Sequence, residues 1–404
     1  MANLRIGLIR EGKIPWDRRV PLAPASARYI NQTIANVEVV CQTSAHRAFS
    51  DQEYIEAGVP VVSDLSDCDI LLGVKEVPIS DLLPGKVYFF FSHTIKKQEF
   101  NRGLLRAIIE KDITLVDYEC LTNSSGNRLL AFGRFAGIVG AYNTIWAFGQ
   151  RYRLFDTRRA RDCFDLKQLQ QEFSRVTLPA IKIALTGGGR VAKGTMEVLN
   201  SMGIRRVSPA QFINQDYQEP VYVQLNARDY HQHLDGSVFN RGEFFANPEN
   251  YRSSFLQYAR LADVLIAGSY WDPRAPVLFT RLDILKPDFK IKIVGDISCD
   301  INGSVASTRK ASTIDEPLYD YNPSEDKIEP PLSDEANITV MSIDNLPGEL
   351  PRDASLDFGE DFICRVLPSL IDSDSQGTIS RATITRQGRL TSSFSYLQEF
   401  VDGN

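Results

Sequence analysis

Two short segments carry side chains that can move protons. Gly73-Val74-Lys75-Glu76 ends one apolar run, and Phe89-Phe90-Phe91-Ser92-His93-Thr94 ends the next. If both runs are strands of a parallel sheet, Lys75 and His93 stand at carboxyl ends, where open α/β sheets hold their ligands. A lysine and a histidine differ in basicity. Together they can give and take the protons that accompany making or breaking a C–N bond. A strand-end lysine is as readily a solvated charge, so spacing alone leaves both readings open.

A third segment suits phosphate. Residues 181–185 are apolar and run into Thr186-Gly187-Gly188-Gly189-Arg190-Val191-Ala192, with a helix expected to about Met202. In strand–turn–helix geometry Gly187 makes the tight turn and Gly189 lets a pyrophosphate approach the backbone. Ala192 lets helix and strand pack closely. The phosphates would meet free N–H groups at the positive end of the helix dipole. An acidic residue for the adenine ribose is expected about 20 residues on. That region reads Ile204-Arg205-Arg206-Val207-Ser208. Ser208 at the acid's place leaves room for NADP beside NAD, with Arg205 and Arg206 near the 2′-phosphate or simply solvated.

Other segments are less specific. Trp16-Asp17-Arg18-Arg19-Val20-Pro21 follows the first apolar run, and an arginine there could clamp a carboxylate bidentately. Ser342 to Arg352 is a proline–glycine loop that alone reads as a turn. His231-x-His233 has no partner at ligand spacing and reads as a surface loop. The six cysteines (41, 68, 120, 163, 299, 364) form no C-x-x-C pair, so no metal site is expected and all six read as buried thiols.

The elements that must position these residues follow from periodicity. Apolar runs at 5–9, 37–41, 70–74, 87–91 and 113–117 alternate with helical patterns at 25–29, 52–57 and 98–111. This predicts an α/β fold with a parallel sheet. Small residues at steps of three and four over 133–155 predict a long buried helix linking two domains. A second unit begins at Ile181, with further strands at 221–225, 264–267, 291–296 and 338–343. Residues 208–260 look like an insertion, and 322–337 like an exposed connection. A helix is expected around 355–370, and the piece from 377 to 400 is too small to fold alone.

Composition bounds the function classes. The chain has 404 residues, 43% hydrophobic and 24% charged, which suits a globular protein of two or three domains. A net charge of −6 argues against nucleic acid as a partner. No apolar run approaches a membrane span. With no signal-peptide pattern in the sequence, a cytoplasmic protein with a small-molecule substrate is expected, oligomeric or not.

Together these pieces resemble the alanine dehydrogenase and transhydrogenase-α superfamily. Arg19-Val20-x-x-x-Pro24, Gly73-Val74-Lys75-Glu76, His93 and Asn345-Leu346-Pro347-Gly348-x-x-Pro351-Arg352 occur in that family's order. Phe90-Phe91-Ser92-His93-Thr94-Ile95-Lys96, Val116-Asp117-Tyr118-Glu119, Gly295-Asp296-Ile297-Ser298 and Ser342-Ile343-Asp344-Asn345 are closer to its saccharopine branch. That branch holds the lysine-forming saccharopine dehydrogenases and the lysine–ketoglutarate reductase half of aminoadipic semialdehyde synthase.

The resemblance implies two Rossmann-like, doubly wound domains with an interdomain cleft. Residues 1–140 with 345–404 would form a discontinuous catalytic domain, and 141–344 a dinucleotide-binding domain. It implies Lys75 and His93 as the acid–base pair, with Arg19, Lys96 and Glu119 on substrate. Arg128 is a further cation, and Glu76 with Glu119 could hold an ammonium. NAD or NADP would sit on Gly187, Gly189, Ala192 and Ser208, with Asp296 and Asn345 near the nicotinamide. The implied reaction interconverts saccharopine with lysine and 2-oxoglutarate. The rivals are an alanine dehydrogenase and a non-catalytic NAD(P)-binding regulator.

Overall fold

The computed structural model describes residues 4–403. The chain divides into two compact units. Unit 1 runs to Phe132 and resumes at Pro351; unit 2 is Gly133–Leu350. These limits lie away from those expected at 140/141 and 344/345. The helix Gly133–Tyr152 is one unbroken element, and it belongs entirely to unit 2 instead of bridging two domains.

In unit 1, β1 (Leu4–Leu8), β2 (Val37–Gln42), β3 (Val61–Val62), β4 (Ile70–Leu72), β5 (Val87–Phe90) and β6 (Thr114–Asp117) form a parallel sheet in the order 6-5-4-1-2-3. Its central strands read as unbroken apolar runs because both faces are covered. All three residues of β4 are buried. Phe89 and Val116 pack in one core layer, Tyr88, Phe90 and Leu115 in the other. The C-terminal strands Thr383–Arg386 and Arg389–Leu390 extend the β6 edge antiparallel. Thr385 stitches the irregular join by donating to the Ile113 carbonyl at 2.8 Å and accepting from the Leu115 amide at 3.1 Å. Phe394, Leu397 and Phe400 of the tail share a core with Leu105 and Ile108.

In unit 2, β7 (Lys182–Thr186), β8 (Arg205–Val207), β9 (Val221–Leu225), β10 (His231–His233), β11 (Tyr251–Ser253), β12 (Val264–Ala267), β13 (Ile293–Asp296), β14 (Leu318–Asn322), β15 (Lys327–Glu329) and β16 (Ile338–Met341) are the strands. Eight of them make a sheet ordered 15-14-16-13-12-7-9-8, in which β14 and β15 are antiparallel. Strands β10 and β11 pair apart from it. The strand expected at 221–225 is β9, an inner strand of the sheet, so the segment 208–260 is in part scaffold and not only an insertion, and the expected connection at 322–337 contains β15. The three-residue, mostly polar β15 shows no clean period of two. Of the cysteines, Cys41, Cys68 and Cys163 are buried, but Cys364 is exposed and Cys120 and Cys299 are half-buried.

Two glycines fix how the Gly133–Tyr152 helix sits on the helix Arg190–Ser201. A Cβ on Gly137 would lie 2.0 Å from the Val191 carbonyl oxygen, and one on Gly194 2.0 Å from that of Arg134. The contact is backbone on backbone, so no side chain can yield. Gly137→Ala or Gly194→Ala should destabilise unit 2 by roughly 1–3 kcal/mol or more, the usual cost of overpacking. Gly103→Ala is the control: its helix surface has 3.8 Å of clearance, and Ala there should be neutral or stabilising by about 0.5–1 kcal/mol. Thermal unfolding of the three variants checks this ranking.

Candidate active site

Between β1 and β4 the sheet of unit 1 changes its winding direction, and the loops after both strands leave the same edge. Glu11 follows β1. Its two oxygens accept the backbone N–H groups of Val74 (2.7 Å) and Lys75 (2.9 Å), just past β4. Burial, together with the negative Asp17, pushes the Glu11 carboxyl up to about 8.

Glu76 is the hub of the next layer. One oxygen faces His93 Nδ1 at 2.7 Å and the other accepts from Lys13 Nζ at 2.7 Å. Burial acts to raise its carboxyl, but the bonds from His93 and Lys13 outweigh this and bring it to about 2. An ionised Glu76 accepts at Nδ1–H, which in the neutral ring leaves the lone pair on Nε2. Lys75 is half-buried, and burial with the Arg19 charge lowers its ammonium below the ordinary lysine range despite Asp17 and Glu76 nearby. A lowered lysine releases its proton more readily.

Arg19 is not a free substrate clamp. Its Nε and Nη2 engage the two oxygens of Asp17 at 2.9 and 2.6 Å, both residues are buried, and the guanidinium lies 4.2 Å above the Phe132 ring. Asp17 gives Arg19 the bidentate carboxylate that a substrate was expected to supply. Lys96 and Arg128 stand differently. Both face Glu119, at 3.7 and 3.4 Å, and both are partly exposed. Arg128 also lies 5.5 Å above the Phe91 ring. Lys97 sits over Tyr396.

Unit 2 places the glycine turn after β7, where its sheet in turn reverses its winding. Gly187 has φ +100°, and a Cβ there would fall 2.8 Å from the Gly268 carbonyl. Gly189 starts the helix Arg190–Ser201 and has open space where a Cβ would be; Ala192 is fully buried beneath it. The turn borders a cavity of about 710 Å³, also lined by Asn226, Arg228, Tyr230, Arg241 and Trp271. Open space over a helix N-terminus, with a glycine that clears it, fits a dinucleotide pyrophosphate.

Three expectations here change. Ser208 does not stand at the ribose position: β8 is the sheet's edge, and β9 lies between it and β7. Ser208 is exposed and caps the helix Pro209–Asn214 by accepting from the Gln211 amide. The strand end beside the turn is that of β9, and the residue there is Asn226, whose Oδ1 would be 2.7 Å from a Cβ on Gly188. Gln224 of β9 donates to the Gly187 carbonyl at 2.8 Å and accepts from Arg206 at 2.6 Å. Asp296 is fully buried, its oxygens held by Ser298 Oγ (2.7 Å), the Cys299 amide (3.1 Å) and Thr308 Oγ1 (2.7 Å), so it organises its own loop. His231 is not on a surface loop: it is buried in β10 against Tyr230 and Phe244, and burial lowers its ring to about 4. Asn345 heads the turn Leu346–Glu349, its amide folded over Gly348.

The segment 7–139 matches the family "Alanine dehydrogenase/PNT, N-terminal domain". The chain is 31% identical to the mitochondrial alpha-aminoadipic semialdehyde synthase of Bos taurus, over 98% of this chain and 47% of that one. It is 24% identical to the saccharopine dehydrogenase (NAD(+), L-lysine-forming) of Emericella nidulans, over 92% of each. The chain is thus similar to the alanine dehydrogenase/PNT family over residues 7–139 and to saccharopine dehydrogenases along most of its length. It spans under half the length of the aminoadipic semialdehyde synthases it matches. A solved L-alanine dehydrogenase shares this fold over 99% of both chains, with a TM-score of 0.65 and 17% identity.

The sequence reading does not single out Glu11, Lys13 or Asp17, which the structure places in this cluster. The signal was present, because Arg10-Glu11-Gly12-Lys13 directly follows β1, just as Lys75 and Glu76 follow β4. Glu76 also gives a pH signature. Its folded-state value lies below the ordinary carboxylate value of 4.5. Its stabilising contribution is therefore complete above about pH 4.5 and disappears as the pH falls through about 2. Unfolding midpoints measured from pH 6 to pH 2 should fall less steeply for Glu76→Gln than for the parent chain.

Proposed function

We propose that this chain is an NAD(P)-dependent oxidoreductase acting on a CH–NH group, interconverting saccharopine with L-lysine and 2-oxoglutarate. The observation that carries the reading is the hydrogen-bonded Lys13–Glu76–His93 chain beside a lysine of lowered basicity, at the winding reversal of a parallel sheet. Similarity to saccharopine dehydrogenases along most of the chain supports it.

The proton chemistry follows from what the groups can hold. Hydrolysis of an imine between lysine and 2-oxoglutarate requires a base when water adds and an acid when the amine leaves. Lys75 in its neutral form takes the proton from water. His93 presents Nε2, with Glu76 holding Nδ1 and stabilising the ring when it is protonated. Lys96 and Arg128 bind substrate carboxylates, and Glu119 holds them apart from one another and receives an ammonium. Arg19 acts through Asp17, keeping the β1 loop in place.

Gly187, Gly189 and Ala192 of unit 2 would hold the dinucleotide's pyrophosphate, and the nicotinamide, when bound, supplies the hydride chemistry. No carboxylate ends β9, and Arg206, Arg228 and Arg241 lie on or beside the strand end and cavity wall. This supports acceptance of a 2′-phosphate, on residues other than Ser208. NADPH should bind at least as tightly as NADH. Fluorescence titration of both checks this, and a large preference for NADH would overturn it.

Nicotinamide absorbance should report a rate with lysine plus 2-oxoglutarate and almost none with pyruvate plus ammonium, because a small monocarboxylate would engage fewer of the charged groups Lys96, Glu119 and Arg128 than a larger, multiply charged substrate. The opposite ranking would make the chain an alanine dehydrogenase; no turnover with either would favour a binding protein. Lys75→Met and His93→Gln should each lower turnover by roughly 10²–10⁴-fold and leave nucleotide titration on unit 2 unchanged.

A further inference from the structure

His93 has an unusual backbone. Its φ is +52° and ψ 9°, in the left-handed region that is uncommon for residues other than glycine. The flanking residues show what enforces it. Ser92 is fully buried, and both its amide (3.0 Å) and its hydroxyl (2.5 Å) donate to Oδ2 of Asp117. The hydroxyl also lies 2.8 Å from that of Thr94, and the Lys96 amide closes the turn on the His93 carbonyl at 3.1 Å.

Asp117 is the last residue of β6, fully buried. Its other oxygen, Oδ1, accepts from the Glu119 amide at 2.7 Å. One carboxylate thus holds the loop with His93 by one oxygen and the turn with Glu119 by the other. Glu119 in turn faces Lys96 and Arg128.

We propose that Asp117, acting through Ser92, is the positioning residue that keeps His93 in its left-handed conformation and its Nδ1 on Glu76. The proposal rests on the reading of His93 as an acid–base group, but the arrangement of the imidazole can be measured without turnover. Asp117 touches no reacting atom. An aspartate is required because all three donors approach its two oxygens. An asparagine has only one acceptor atom and would set its NH₂ against either the Ser92 or the Glu119 amide.

The charged groups facing His93 are Glu76 directly and Lys13 through it, with Lys96, Glu119 and Arg128 on the adjoining turns. None of these is altered in Asp117→Asn or Ser92→Ala; Asp117→Asn also removes the Asp117 charge, whereas Ser92→Ala changes no charge, so a moved His93 midpoint in Ser92→Ala reports placement alone.

The experiment is an NMR titration of the four histidine imidazoles in the full chain, with His93 assigned by its loss in His93→Gln. In Asp117→Asn the His93 midpoint should move by about half a pH unit or more, while His46, His231 and His233 hold theirs. Where saccharopine turnover is present, kcat should fall at least tenfold with KM changed less than about threefold, and nucleotide titration should be unaltered. If Asp117→Asn does not fold, Ser92→Ala decides: it removes one hydroxyl and should move the same midpoint, by less. An unmoved His93 midpoint in a folded variant, with only a lower melting temperature, overturns the proposal. Absence of saccharopine turnover in the parent chain would instead count against the proposed reaction and leave the imidazole measurement standing.

Discussion

In a doubly wound sheet two neighbouring strands send their chains to opposite faces, and the backbone N–H groups just past their ends lose their sheet partners. Something must satisfy them. In unit 1 Glu11 does so for Val74 and Lys75. In unit 2 Gln224 supports the Gly187 carbonyl, the Gly187 amide donates to the Leu225 carbonyl at 2.8 Å, and the glycine turn borders the cavity. The same topological constraint thus yields two different sites. Where a carboxylate fills the gap, a cluster of titrating side chains assembles around it. Where only glycine stands, a phosphate has room.

In unit 1 the buried Asp17 and Arg19 hold each other, and Glu76 is held by Lys13 and His93. At about 4 Å and an effective dielectric near 20, one unit pair is worth roughly 4 kcal/mol before desolvation is subtracted. That is enough to keep Asp17 and Arg19 ionised, and removing one partner of such a buried pair costs about 3–5 kcal/mol. The arrangement also separates roles. The Asp17–Arg19 pair is closed on itself, so its positive end acts on Lys75 only through space, lowering it. Glu76 is shared between two cations and therefore stays ionised whichever protonation state His93 adopts.

How far this was legible in the sequence depends on how local each signal is. Lys75, His93 and the Gly187–Ala192 turn were found because strand, turn and residue type lie within a few positions. Ser208 was misplaced because counting forward from a glycine turn assumes that the next strand in sequence is the next strand in space. Here β8 lies at the edge and β9 takes the inner place. Periodicity carries no information about that exchange. Arg19 misled for a related reason. An arginine in a loop looks wholly available, and only the fold shows that Asp17, two residues before it, occupies the Nε–Nη2 edge of its guanidinium. His231 looks exposed in sequence because Phe244, which covers its ring together with Tyr230, lies more than ten residues away.

Asp117 and Asp296 carry the comparison one step further. Each is the last residue of a parallel strand, each is fully buried, and burial raises each carboxyl above its ordinary value. Asp117 accepts from the Ser92 and Glu119 amides and the Ser92 hydroxyl, Asp296 from the Cys299 amide and the hydroxyls of Ser298 and Thr308. An acid at a strand end is the place where a ligand-binding carboxylate is sought. What separates an internal anchor from a ligand group is the presence of hydroxyl donors within reach, since a carboxylate already holding three protein donors has little capacity left for a ligand. In both units the serine that serves the anchor lies one or two residues from the segment the anchor shapes. Read in this way, Ser92 beside His93 marks the loop as braced from below, and Ser298 after Asp296 marks that aspartate as part of the scaffold.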